Sequence, residues 1–198
     1  MNLANKLTIF RMILVPIFVL IGYIGIPGET FGIYNTFLVM NLIFIIASIT
    51  DKLDGTIARA TNQITTFGKF LEPIADKILV LAALIILVEF NKIPAWIPIL
   101  ILFREFIVSG YRLIASQKGG SVIAASVWGK LKTVTQMIAI IMAYIDVGAF
   151  CQCFSGELSG SRYIINLLTT IFILISIIAT VFSGIDYLKG GKDLLKDK

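Results

Sequence analysis

Apolar residues dominate this chain in six long runs, each set off by a short polar or glycine-containing segment. The runs cover residues 7–26, 34–60, 72–90, 94–116, 127–149 and 163–188. About 20 apolar residues in an α-helix cross the hydrocarbon core of a bilayer. The pattern therefore predicts an all-α, polytopic membrane protein with six transmembrane helices. The second and fifth runs are long and polar at one end, which predicts helices that project beyond the bilayer into water. Residues 2–9 are polar and mixed, and predict a short amphipathic segment on the membrane surface that leads into the first span. No repeat, low-complexity segment or second domain is visible, so residues 1–198 read as one transmembrane domain.

Composition agrees. The chain has 198 residues, of which 58% are hydrophobic and 15% charged. A soluble domain carries about a quarter charged residues. The N-terminal stretch lacks the pattern of a cleavable signal peptide. Lysine and arginine decide the orientation. With the N-terminus in the cytoplasm, fifteen of them fall in the inner half and only Lys92 and Arg162 outside. Cytoplasmic loops carry such an excess, so both termini are expected in the cytoplasm, and the basic tail beyond Leu188 anchors to anionic lipid. Nothing points to a nucleic-acid partner. Histidine is absent, so proton transfer near neutral pH must use a carboxylate, Lys, Tyr or a metal-bound group. Cys151 and Cys153 are too few for a structural zinc site and read as an incidental loop pair.

Against this apolar background, Asp51, Asp54, Glu72 and Asp76 lie within 26 residues of one another. Ionisable groups at bilayer depth are costly. The orientation puts these four near the cytoplasmic ends of spans two and three, at the depth of lipid head groups. Asp51 and Asp54 are three apart and Glu72 and Asp76 four apart, so each pair shares a helix face. A short connection lets the two helices pack antiparallel with the pairs facing. Four carboxylates so close repel unless cations sit between them, and without histidine they suit a hard, oxygen-loving cation. Gly55 and Ala58 leave a small-residue notch that admits a backbone or a flat ligand. Arg59 is suited to bidentate phosphate contact. The alternative is a set of paired surface charges: Asp51 with Lys52 or Arg59, and Asp76 with Lys77.

The run Asp51-x2-Asp54-Gly55-x2-Ala58-Arg59-x8-Gly68-x3-Glu72-x3-Asp76 resembles the signature of the CDP-alcohol phosphatidyltransferase family. Seven of its eight fixed positions match; Glu72 stands where the family usually has Asp, which keeps the charge and adds one methylene. The resemblance implies two divalent cations, Mg2+ or Mn2+, that hold the pyrophosphate of a CDP-linked lipid while an alcohol attacks the lipid-side phosphorus and CMP leaves. It implies Asp51, Asp54, Glu72 and Asp76 as metal ligands and Asp76 also as the base. Gly55, Ala58, Arg59 and Gly68, with Asp54, would then line the nucleotide site. It further implies a homodimer. Asn5, Thr8 and Arg11, spaced three apart, resemble an N-terminal element of family members that make phosphatidylglycerophosphate. On that resemblance they reach the nucleotide end of the site; the plainer reading is the polar face of the amphipathic segment.

A second cluster bears on the acceptor alcohol. Arg104 lies inside an apolar run, followed by Glu105, Ser109 and Arg112, and the fifth run opens with Trp128, Lys130, Lys132, Thr133 and Gln136. Arg104, Arg112, Lys130 and Lys132 are expected to build a cationic pocket, facing the acidic one, for a soluble acceptor with its own phosphate. Glycerol 3-phosphate and inositol phosphate both qualify. Alternatives are a buried Arg104–Glu105 pair and side chains that snorkel to lipid phosphates. The string resembles the branch of the family that transfers a phosphatidyl group from CDP-diacylglycerol to sn-glycerol 3-phosphate in the bacterial cytoplasmic membrane. Inositol phosphate, or phosphatidylglycerol giving cardiolipin, is the rival acceptor. A divalent-cation transporter would place carboxylates near the midplane on both halves of a repeat, unlike this one-sided cluster, and a lipid-binding scaffold would leave the carboxylates unexplained. Residues beyond about 140 carry no chemistry that the sequence argues.

Overall fold

The computed structural model describes residues 3–60, 66–117 and 127–190, with the side chains of some helical residues left undescribed. Among the described residues are six α-helices: α1 (Leu3–Ile24), α2 (Asn35–Ala60), α3 (Thr66–Glu89), α4 (Trp96–Gln117), α5 (Val127–Ile145) and α6 (Gly160–Gly190). Each matches one predicted run. By length and composition, Lys6–Ile24 and Gly160–Lys189 can each cross a membrane, and Asn35–Thr50 is a shorter apolar helix. The differences lie at the ends. α1 runs unbroken from Leu3, so the N-terminal amphipathic segment is its first turns rather than a separate element. α3 starts at Thr66, six residues before the predicted span, which brings the whole stretch from Gly68 to Asp76 into helix.

A two-stranded hairpin was not expected. β1 (Glu29–Thr30) pairs antiparallel with β2 (Ile33–Tyr34). Phe31 and Gly32 between them have φ of 56° and 76°, as a type I′ turn requires at both central residues. Phe31 pays for that conformation without an Asn or Gly side-chain advantage, which is why the sequence carries no clear hairpin signal. Asn35 ties the hairpin to α2. Its Nδ2 donates to Pro27 O at 3.1 Å, and its Oδ1 accepts from Thr30 Oγ1 at 2.7 Å.

The chain divides into two compact units. The first comprises Met1–Lys92 with Ala143–Ala149, and here α1 packs on α2 and α3. Gly22 makes a close approach between the helices: a Cβ there would meet Met40 Cε at 3.2 Å and Ile86 Cδ1 at 3.5 Å. Aromatic rings fill the middle. Phe18 and Phe37 meet the Tyr144 ring edge-on at 5.8 and 6.1 Å, and the Tyr144 hydroxyl donates to Ala83 O at 2.9 Å. In the loop after α5, Asp146 Oδ1 accepts the Gly148 N–H at 2.9 Å and Asp146 O accepts from Lys92 Nζ. Burial pushes the Lys92 ammonium below its ordinary pKa, against the opposing pull of Asp146.

The second unit comprises Ile93–Met142 and Phe150–Lys198, with α4 against α6. Trp128 stacks on Phe182 at 4.9 Å. A short 3-10 helix (Gln152–Phe154) is held to α6: Cys153 N–H donates to Asn166 Oδ1 at 2.7 Å and Cys151 N–H to Thr170 Oγ1 at 3.2 Å. The two cysteines are free thiols.

Candidate active site

The acidic positions belong to the first unit. Asp51, Asp54, Gly55, Ala58 and Arg59 lie on α2, and Gly68, Glu72 and Asp76 on α3, and the two helices are in contact. The side chains of these eight residues, and that of Asn5, lie outside the described residues. Helical register nevertheless fixes which face each position occupies. On α2 the buried residues Met40, Phe44 and Ala47 form a stripe that continues three and four residues at a time through positions 51, 54 and 58. On α3 the buried Ala83, Leu79 and Ala75 lead back to positions 76 and 72 in the same way. By register alone, positions 51, 54, 72 and 76 fall in line with these buried residues along each helix.

α1 brings two more of the expected residues to that end. Thr8 and Arg11 are 4% and 0% exposed, in one stripe with the buried Val15 and Phe18. They do not form a solvated polar face. The contact of Gly22, Met40 and Ile86 sets a common level for the three helices. Eleven residues away along each helix, about 16 Å at 1.5 Å per residue, lie Arg11 on α1, position 51 on α2 and Ala75, beside position 76, on α3. Arg11 thus lies at the level of positions 51 and 75. A guanidinium held wholly from solvent needs polar or negative partners.

The basic residues belong to the second unit, and α4, α5 and α6 build their cluster. Glu105 Oε1 accepts from Arg104 Nη1 at 2.8 Å and from Lys132 Nζ at 2.6 Å. Arg104 Nη2 also donates to Ser183 Oγ. Arg112 Nη2 donates to the Tyr187 hydroxyl at 2.6 Å, and both guanidiniums lie over the Tyr187 ring, 5.6 Å away for Arg104 and 5.5 Å for Arg112. Arg104, Arg112 and Lys132 are thus gathered through one carboxylate and one phenol; Arg112, like Lys130, is exposed. Among the described residues, two positive side chains share one carboxylate.

Ser183 and Tyr187 were not anticipated. α6 carries buried Asn166, Thr169 and Thr170, then, after the buried Ile173, Ser176, Thr180, Ser183 and Tyr187 at three- and four-residue steps. Small polar side chains in such a stripe on an apolar helix mark a face packed on another helix, a signal present in the sequence beyond residue 140. Replacing Glu105 by Ala should leave Arg104 and Lys132 buried against each other. A stability loss of about 2–3 kcal/mol is expected, read as a lower midpoint of thermal unfolding in detergent; an unchanged midpoint would contradict the bridging role.

The pairing of acidic positions at fixed helical spacing on two touching helices defines the class. The family model of the CDP-alcohol phosphatidyltransferases matches residues 1–182, and the chain belongs to that family. It is therefore a transferase of phospholipid synthesis. Several relatives carry the name CDP-diacylglycerol–glycerol-3-phosphate 3-phosphatidyltransferase, three of them as follows. That of Bacillus subtilis is 47% identical over 146 residues, 70% of this chain and 74% of the relative. That of Haemophilus influenzae is 38% identical over 200 residues, 99% of this chain and 96% of the relative. That of Escherichia coli is 38% identical over 143 residues, 70% and 74% of the two chains.

Proposed function

We propose that this chain transfers the phosphatidyl group of CDP-diacylglycerol to sn-glycerol 3-phosphate, giving phosphatidylglycerophosphate and CMP. One observation carries this reading: the Asp51–Asp76 signature stands on two touching helices in a chain alike from end to end to a relative of that name. The whole chain, residues 1–198, acts as one bacterial membrane domain of six spans. Both termini and the acidic site are on the cytoplasmic side, and the working form is a homodimer. Large apolar side chains such as Phe103 and Phe106 on α4 and Ile164 and Ile178 on α6 are exposed, as lipid-facing residues would be.

The donor set fits a hard divalent metal, Mg2+ or Mn2+: oxygen ligands only, four negative charges, no histidine or thiolate among them. Asp51, Asp54, Glu72 and Asp76 would hold two such ions, which when bound neutralise charge on the pyrophosphate oxygens. The chain's own groups do the rest. Asp76 accepts the proton of the acceptor hydroxyl. The hydroxyl oxygen bonds to the lipid-side phosphorus, the bond from that phosphorus to the bridging oxygen breaks, and CMP leaves with the electron pair. No covalent enzyme intermediate is required. Asn5, Thr8, Arg11, Asp54, Gly55, Ala58, Arg59 and Gly68 receive the nucleotide end, and Arg104, Arg112, Lys130 and Lys132 the acceptor phosphate.

A panel of acceptors tests the reading with purified protein, CDP-diacylglycerol and Mg2+. CMP release with glycerol 3-phosphate, and little with inositol phosphate or phosphatidylglycerol, is expected; the reverse order would assign another acceptor. Arg112→Ala or Lys132→Ala should raise KM for glycerol 3-phosphate by roughly tenfold or more, with a smaller change for CDP-diacylglycerol. The opposite ranking in steady-state kinetics would mean that these cations serve the lipid substrate.

A further inference from the structure

Gln136 is 3% exposed, and its Nε2 has no hydrogen-bond partner among the described residues. Burying an amide N–H without an acceptor costs about 1–3 kcal/mol, and folded proteins keep few such groups. Thr135 beside it shows the ordinary solution: its buried hydroxyl donates to Leu131 O at 2.8 Å, within the helix. Gln136 has no such outlet. It lies one turn beyond Lys132 on the buried face of α5, which then becomes apolar at Ala139 and Ile140. Lys132 bonds Glu105 Oε1, the same atom that Arg104 bonds, and Arg104 Nε is likewise buried with no partner. Two unpartnered N–H donors therefore belong to the same three-helix cluster. Donors of this kind call for an oxygen acceptor; a cation would be repelled and an acyl chain would leave them unpaired.

We infer that Gln136 is a further acceptor-binding residue, whose amide N–H donates to an oxygen of the phosphorylated polyol that enters the Arg104–Arg112–Lys132 cluster. This rests on the reading above in which those cations take the acceptor phosphate. The amide adds what a lysine does not, a directional donor on a short side chain. A site that hydrogen-bonds its substrate discriminates strongly against molecules that lack the oxygen. Evolutionary cost and gain are then coupled: the empty protein is destabilised by an unmet donor, and the bound acceptor meets it.

The test is Gln136→Leu, which keeps the volume and removes the donor. The melting temperature of the substrate-free protein should stay level or rise, because an unpaired buried amide is gone. KM for glycerol 3-phosphate should rise about tenfold, the equivalent of one lost hydrogen bond, with KM for CDP-diacylglycerol unchanged. The thermal shift that glycerol 3-phosphate alone produces in the wild-type protein should shrink in the variant. An unaltered KM for glycerol 3-phosphate, or an equal rise for both substrates, overturns the inference. Gln136→Met serves the same test if the leucine variant fails to fold. If the wild-type protein releases no CMP with glycerol 3-phosphate, it is the proposed function that fails, whatever the variants show.

Discussion

Replacing Asp76 by Asn should stop CMP release while the protein stays folded. The two side chains have the same shape, so packing along the α3 stripe through Ala75 and Leu79 is preserved. On the proposed reading one of four like charges disappears, which relieves repulsion when no cation is bound, so the midpoint of thermal unfolding should hold or rise. The chemistry has no such compensation. An amide cannot take the proton of the acceptor hydroxyl, and a positioned base contributes about 10²–10⁴-fold. It also weakens one metal ligand, so a loss of at least about 10³-fold in kcat is expected. Without histidine in the chain, no imidazole near the site can substitute. The measurement is CMP release under saturating substrates, beside a melting curve. Turnover close to wild type would remove Asp76 from the role of base.

The second large effect is expected from chelation. With EDTA in excess, activity should fall to background, and Mg2+ or Mn2+ added beyond the chelator should restore it. The reason is electrostatic. On the proposed reading, Asp51, Asp54, Glu72 and Asp76, which stand on two touching helices, gather four negative charges, and a pyrophosphate brings more. Divalent cations are what such a site lacks. Metal-independent CMP release would remove the two-metal account and would favour reading the carboxylates as paired with basic side chains. Glu72, one methylene longer than the usual aspartate, adds a sharper version: Glu72→Asp should keep activity, with a changed preference between Mg2+ and Mn2+.

Much of this was present in local pattern. Six apolar runs became six helices with ends shifted by a few residues. The steps of three and four between Asp51 and Asp54 and between Glu72 and Asp76 became shared helix faces, because helical register depends only on neighbours along the chain. The hairpin before α2 was missed, since Phe31-Gly32 is an uncommon pair for a turn with two positive φ values. The N-terminal polar residues were open to two readings, and burial of Thr8 and Arg11 favours the inward one.

By itself, then, the sequence determined the helices, their apolar length and the spacing of the acidic positions, all properties of short-range periodicity. Tertiary structure decided the partners. Glu105 is shared by Arg104 and by Lys132 27 residues away, and α6 returns Ser183 and Tyr187 to Arg104 and Arg112 across 79 and 75 residues. Such pairings depend on which faces pack against which, and no local pattern records that choice. The same packing leaves Gln136 buried beside Lys132 with an unmet donor, which only the folded arrangement reveals.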